Sequence, residues 1–221
     1  MWTPRLIVFA AILSLASAAS SQSAPTALTQ AVALTQAAKT AYAFDVEIQG
    51  ADRTWRARFA PDADPRLRLI EPQRTELSGD ERRAFDAYAR DIEGVSWCAS
   101  ENMGRVADVR LLREDATSAT YAFQPTPESV RGEQARRFAD RMRGEFTLSK
   151  GAADITSLRI FTPEAFSPAP LVQVRRVNIA ITCHPAPTGR RYAAETVSDV
   201  SISAFGQDIN QRTVQRARNL Q

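Results

Sequence analysis

Across residues 144–205, apolar side chains recur at every second position. The runs are Glu145-Phe-Thr-Leu-Ser, Ile155-Thr-Ser-Leu-Arg-Ile-Phe, Val172-Gln-Val-Arg-Arg-Val-Asn-Ile-Ala-Ile-Thr-Cys and Tyr192-Ala-Ala-Glu-Thr-Val-Ser-Asp-Val-Ser-Ile-Ser-Ala-Phe. A period of two is that of a strand with one buried face. Turn-prone stretches at Lys150-Gly151, 163–170 and 185–189 separate the runs. The pattern predicts four consecutive antiparallel strands with one dry face and one wet face.

The N-terminal half alternates between the two periods. Residues 26–41 carry Leu28, Ala31, Val32, Thr35 and Ala38 at helical spacing. Tyr42, Phe44, Val46 and Ile48 then face one way and Asp45, Glu47 and Gln49 the other. After a turn at 50–52, Trp55, Ala57 and Phe59 continue the apolar face opposite Arg56 and Arg58, and a proline-bounded turn at 61–65 leads to Leu67 and Leu69. This is a three-stranded meander. Ser78-Gly-Asp-Glu81 matches a capping box. Phe85, Tyr88, Ala89 and Ile92 follow at i, i+3, i+4 and i+7, with Gly94 placed to stop the helix. Residues 106–113 and 117–123 read as a hairpin with Val109, Leu111, Tyr121 and Phe123 inward, and Trp97 as a packing anchor. Pro125-Thr-Pro127-Glu128 opens a third helix with Val130, Gln134, Phe138 and Met142 on one side. The tail 206–221, where Val214 is isolated among polar residues, is an exposed last strand or a frayed end.

The first 18 residues have the parts of a secretory signal: Arg5, an apolar centre at 6–16 and the small-residue pattern Ala16-Ser17-Ala18. That centre is shorter than the roughly 20 residues a bilayer span requires. The reading is a signal peptide at 1–18, a Ser/Ala/Pro linker at 19–25 and one domain at 26–221, placed in the periplasm or secreted, with no transmembrane segment. Formal charge is +3 and falls by one once Arg5 is removed, too mild to imply nucleic acid as a partner. Lysine occurs only at Lys39 and Lys150, so nearly all positive charge is arginine. Four Arg-Arg doublets (82–83, 136–137, 175–176, 190–191) are solvated faces or the rim of a groove meeting lipid phosphates or acidic proteins. Cys98 and Cys183 are the only cysteines. In an oxidising compartment the pair forms a disulfide, or else two buried free thiols.

No reaction is named by these residues. His184 is the only histidine, and strand alternation separates it from Cys183. No nucleophile elbow accompanies it, so a hydrolase centred on His184 is a minor alternative to a protein without catalytic residues. One His and two distant Cys make no metal pattern, and no cofactor is expected. The fold class expected is α+β: a strongly curved antiparallel sheet, or half-barrel, with amphipathic helices packed on its concave face. Tyr42, Phe44, Val46, Trp55, Phe59, Leu67, Leu69, Phe85, Tyr88, Tyr121 and Phe138 would line a pocket between sheet and helices, or form a plain filled core.

The exported N-terminus, the leading helix, Tyr42-x-Phe44-x-Val46 and Gly144-Glu-Phe-x-Leu148-x-Lys150 followed by Ile155-x-x-Leu158-x-Ile160 resemble the outer-membrane lipoprotein carrier and sorting superfamily. That resemblance implies an unclosed β-barrel with a helical lid that holds acyl chains in the periplasm. The expected function is non-enzymatic binding of an apolar or lipid-like ligand, a lipid or a lipoprotein acyl chain. The alternative is an envelope protein-protein interaction module with a filled core.

Overall fold

A computed structural model of the chain describes residues 25–221. The signal-like segment and all but the last residue of the linker lie outside the described residues. Among those residues eleven strands form one antiparallel sheet. They are β1 (Phe44–Gln49), β2 (Thr54–Phe59), β3 (Leu67–Glu71), β4 (Ala107–Glu114), β5 (Ser118–Gln124), β6 (Arg143–Ser149), β7 (Asp154–Phe161), β8 (Phe166–Ala169), β9 (Val172–Pro185), β10 (Arg191–Ala204) and β11 (Gln207–Arg218). The order is β3-β2-β1-β11-β10-β9-β7-β6-β5-β4, with β8 paired to β9 beside this path. Three α-helices accompany the sheet: α1 (Thr26–Ala37), α2 (Gly79–Asp91) and the short α3 (Glu133–Arg137). The α+β, sheet-dominated class is therefore present.

Alternation in the sequence becomes two unlike faces. One row of cross-strand neighbours runs Leu158, Ile181, Thr196, Gln215, Ile48, Trp55 across six strands. The next row, on the opposite face, runs Glu195, Arg216, Glu47, Arg56, Glu71. Its charges alternate and pair at 2.8, 3.0, 3.4 and 2.7 Å. Arg56 and Arg216 are each shared by two carboxylates, so the row is one network rather than four separate pairs. These charges also help fix register, because a slip of any one strand by one residue would turn its charge of this row into the apolar face.

The apolar face carries two cores. Beneath α1, Leu28 and Ala31 pack with Phe123, Phe146, Leu148, Ile155 and the Cys98 and Cys183 side chains. Beneath α2, Phe85 packs with Phe44, Val46, Phe59, Leu67, Tyr192 and Ala217. The α2 start is the expected capping box: the Glu81 amide donates to Ser78 Oγ at 3.2 Å, and the Ser78 amide donates to Glu81 Oε2 at 2.8 Å.

The tail takes the first of its two readings, a last strand exposed over its first half, and β11 lies inside the sheet, between β1 and β10. Three other expectations need correction. Leu111 is exposed, because register shifts on either side of the Arg110–Leu111 pairing, beginning at Asp108 with φ 52°, rotate it outward. Residues 128–142 do not form one helix. Thr126 and Ser129 close a turn through each other's hydroxyls, and Gly132 at φ 84° breaks the path, leaving α3 and a single 3-10 turn at Ala139–Arg141. The stretch read as a break at 163–170 holds the additional strand β8.

Gly144 on β6 lies opposite Phe123 on β5, and a Cβ built there would come 2.0 Å from the Phe123 ring. Phe123 is itself 3% exposed and packs on Phe146 in the α1 core, so its ring must shift to admit the Cβ. Gly144→Ala is expected to destabilise by about 1–3 kcal/mol in urea unfolding. Gly151→Ala, where nothing lies within 4 Å, serves as the neutral comparison.

Candidate functional site

Between the two cores the apolar face is left uncovered over a cavity of about 640 Å³. Its floor is the part of the sheet where Leu158 and Ile160 of β7 meet Ile179 and Ile181 of β9. Phe123 of β5 and Met103 close one side, and Phe59 of β2 and Trp97 the other. The C-terminal turn of α1, the loop 93–106 and the segment 125–142 form the remaining wall. Lys39, Glu93, Glu101 and Arg131 are the charged groups lining it; Lys39 and Arg131 make no ion pair among the described residues.

Each wall is held by identifiable bonds. Loop 93–106 is tied to the sheet by the disulfide Cys98–Cys183, by donation from the Cys98 amide to the Arg191 carbonyl at 3.0 Å, and from the Ala193 amide to the Ser96 carbonyl at 2.8 Å. The disulfide spans 85 residues, and closing a loop of that length stabilises by about 4 kcal/mol. Segment 125–142 is held by the Gln124 side-chain amide, which donates to the Ala139 and Met142 carbonyls at 2.8 and 2.9 Å.

Behind the α1 wall of the cavity lies a buried carboxylate, linked to that wall by Arg190, whose Nε donates to Thr35 Oγ1 at 3.4 Å. Asp154 is fully buried; its Oδ1 accepts from the Ile155 amide, and its Oδ2 accepts from the Arg191 amide and pairs with Arg190 at 3.1 Å. Arg190 also donates to the Ala152 and Ala153 carbonyls, and Arg191 donates to the Cys183 carbonyl. This Arg doublet is thus structural, not a solvated face. Burial raises the Asp154 pKa above the ordinary carboxylate value, against the opposing pull of Arg190 and the two amides. Nothing in the sequence marks Asp154, which stands after Gly151-Ala-Ala like any turn residue.

Of the eleven residues proposed to line a pocket, Phe59 alone lies on the cavity wall. Tyr42, Phe44, Val46, Leu67 and Phe85 are buried in the α2 core, with Trp55, Leu69 and Tyr88 packed against it. Their contacts are close: Phe44 to Phe59 at 5.0 Å and Trp55 to Phe85 at 5.8 Å. The Tyr88 hydroxyl accepts from the Gln215 amide at 3.0 Å, and burial pushes its pKa up to about 12. Tyr121 stacks on Phe146 at 5.2 Å in the α1 core, and Phe138 packs on Phe166 at 5.3 Å. Nine of these side chains belong to the two cores, and Phe138 packs on Phe166 outside both. The lining actually present comes from the alternation of β7 and β9, which the sequence shows as a dry face without showing which part of it stays uncovered.

Cys183 is buried and His184 exposed, as alternation requires. The His184 ring makes no side-chain hydrogen bond among the described residues, and Cys98 is committed to the disulfide. No cluster of three metal-type ligands occurs among the described residues, and no helix there is long and apolar enough to cross a membrane. Comparison with protein-family models, curated proteins and solved structures finds no significant match to the chain.

Because the folded protein holds the Asp154 proton more tightly than the unfolded chain does, its contribution is full below the ordinary carboxylate pKa. It declines as pH rises through the raised value. Asp154→Asn puts an amide NH₂ where Oδ2 accepts from the Arg191 amide and meets Arg190, leaving buried donors facing donors, and is expected to destabilise by about 1–3 kcal/mol. The gap between the two proteins should narrow as pH rises above about 4, measured by urea unfolding across the acid-to-neutral range.

Proposed function

We propose that the chain is a non-enzymatic half-barrel of the cell envelope that holds an apolar or lipid-like ligand, a lipid or a lipoprotein acyl chain. The observation that carries this reading is the apolar cavity itself, about 640 Å³ and bordered by both cores. That volume falls within the few hundred to roughly 1,000 Å³ common for ligand sites. Burying about ten methylenes there would contribute about 8 kcal/mol before the cost of ordering the chain. Curvature of the sheet is supported by the same walls. Phe59 on β2 and Phe123 on β5 are seven places apart in the strand order and would be about 34 Å apart in a flat sheet. Both line one cavity, which asks for a sheet bent around it, with α1 and the 125–142 segment on the concave side. The disulfide suits an oxidising compartment, and the resemblance to the lipoprotein carriers points the same way.

Native mass spectrometry of protein purified from its own envelope, before and after organic extraction, tests the reading. A stoichiometric extractable lipid or acylated peptide is expected. Ile179→Trp, which fills the floor, should lower that occupancy by about tenfold, equivalent to about 1.4 kcal/mol. An apo mass in both proteins, with a purified fatty acid failing to bind, would overturn it.

One feature favours a second reading, an envelope interaction module. Leu171 and Phe205, each 75% exposed, occupy the β8–β9 and β10–β11 turns with φ of 63° and 50°. The Phe205 amide donates to the Leu171 carbonyl at 2.9 Å, so the two apolar tips are adjacent. Large side chains in the left-handed region, exposed, are not what folding alone selects. In that reading, Leu171→Ser with Phe205→Ser abolishes co-fractionation with the envelope partner and leaves bound lipid unchanged.

A further inference from the structure

A second depression, of about 340 Å³, lies on the face of the sheet opposite the cavity. Arg159 and Phe161 of β7, Arg176 and Asn178 of β9, Asp199 of β10 and Arg212 of β11 line it, with Thr162 and Val177 at one side. Phe161, Asn178, Asp199 and Arg212 are directly paired across four strands, so strand register alone gathers this set. Arg159 and Phe161 flank Ile160 along β7 and Asn178 precedes Ile179 along β9, so these side chains point away from the cavity floor.

The charges do not balance. Asp199 is the single carboxylate, and both its oxygens accept from Arg212, at 2.8 and 3.0 Å. Arg159 and Arg176 have no carboxylate partner among the described residues. Arg159 is instead fixed by neutral groups: its guanidinium lies 4.7 Å over the Phe161 ring, and its Nε donates to Asn178 Oδ1 at 2.7 Å. A guanidinium only donates, so that bond sets the Asn178 amide with its NH₂ free toward the depression. Thr162 Oγ1 accepts from the Val177 amide at 2.9 Å, leaving its hydroxyl proton to give. Two guanidinium groups without a carboxylate partner, an amide NH₂ and a hydroxyl therefore line one depression, while its one carboxylate is already paired with Arg212. Such a donor-rich set fits a group that accepts.

We propose that this depression is a binding site for a tetrahedral or carboxylate oxoanion, with a phosphate group as its best-fitting occupant. Arg159, preorganised by ring and amide, supplies the planar two-pronged contact that phosphate oxygens match, and Arg176 supplies the second charge. A free phosphate and a phospholipid headgroup share this chemistry.

The test uses two probes on the purified protein: inorganic phosphate followed by calorimetry, and flotation with phosphatidylglycerol vesicles against phosphatidylcholine vesicles. Arg159→Gln with Arg176→Gln removes the site. Arg110→Gln with Arg113→Gln on β4 removes the same charge elsewhere, and thermal melts check that both variants fold. Saturable phosphate binding, weakened about tenfold or more by the first pair and unchanged by the second, is expected for a free oxoanion. Flotation with the anionic vesicles alone, lost in the first pair and kept in the second, assigns the headgroup as the source. Binding of neither probe, or equal losses in both pairs, would overturn the proposal.

Discussion

Insertion of the last strand between β1 and β10 is the constraint on which the rest of the sheet depends. Val46 pairs with Ala217 across about 170 residues of chain. The Ala43 and Gln221 backbones close the ladder with a reciprocal pair of bonds at 3.0 and 2.9 Å. Bringing such distant segments together costs about 3 kcal/mol more than closing a short hairpin. What offsets it is a ladder of both partners at once, apolar packing of Ala217 against the α2 core, and the Glu195–Arg216–Glu47 pairing on the other face. Without β11 the meander β1–β3 has no hydrogen-bonded link to the larger part of the sheet, and the Phe59 side of the cavity is lost with it.

The same insertion explains why a gap exists on the apolar face. The two cores are built by different helices from different parts of the chain, α1 over β5–β7 and α2 over β1–β3. The α1 core reaches the stretch of β7 and β9 between them only at its edge, where Leu158, Ile160 and Ile181 pack against it yet, like Ile179, remain only partly covered. Rigid supports stand at the edges of that gap: the disulfide and its amide bonds on one wall, and the Asp154–Arg190 pair beneath α1 on another. A carboxylate taken out of water is tolerated there because two amides and a guanidinium occupy its oxygens. The cavity is therefore framed by bonds rather than left by loose packing.

Much of the fold was legible because its strands have one dry face. Residues 42–69 and 144–205 show period-two alternation wherever a helix covers them, and Ser78 to Glu81 announces α2 by a mechanism visible in four residues. Legibility ended where pairing, not burial, makes the strand. From Gln207 to Arg212 β11 is exposed on both sides, so no apolar period exists to read, and its hydrogen bonds to β10 do the ordering. Leu111 failed for a related reason, since a bulge changes which way a side chain points without changing the sequence period. The third helix failed because Gly132 and the Thr126–Ser129 turn outweighed an apolar spacing that looked helical. For the site, the sequence identified the dry face and then favoured its aromatics. Aromatic side chains are large, and size is what fills a core. Phe44, Phe59 and Phe85 close their region, while the aliphatic rows of β7 and β9 leave room.

The two faces of the β7–β9 pair thus carry opposite chemistries on interleaved residues. Ile160 and Ile179 floor an apolar cavity, while Arg159 and Asn178, one position along each strand, build a donor-rich depression. A strand pair of this kind cannot shift register to improve one site without exchanging the residues of both. If both proposed sites bind, mutations that alter pairing along β7 and β9 should damage the two together, whereas side-chain replacements on one face should separate them. An amphiphile has the same two chemistries in one molecule, an acyl chain and a phosphate. The sheet keeps the two apart by its own thickness, so one molecule lying in the cavity cannot also place its headgroup in the depression without passing around a sheet edge. Two partners, or two parts of one membrane surface, suit that geometry better than a single small ligand.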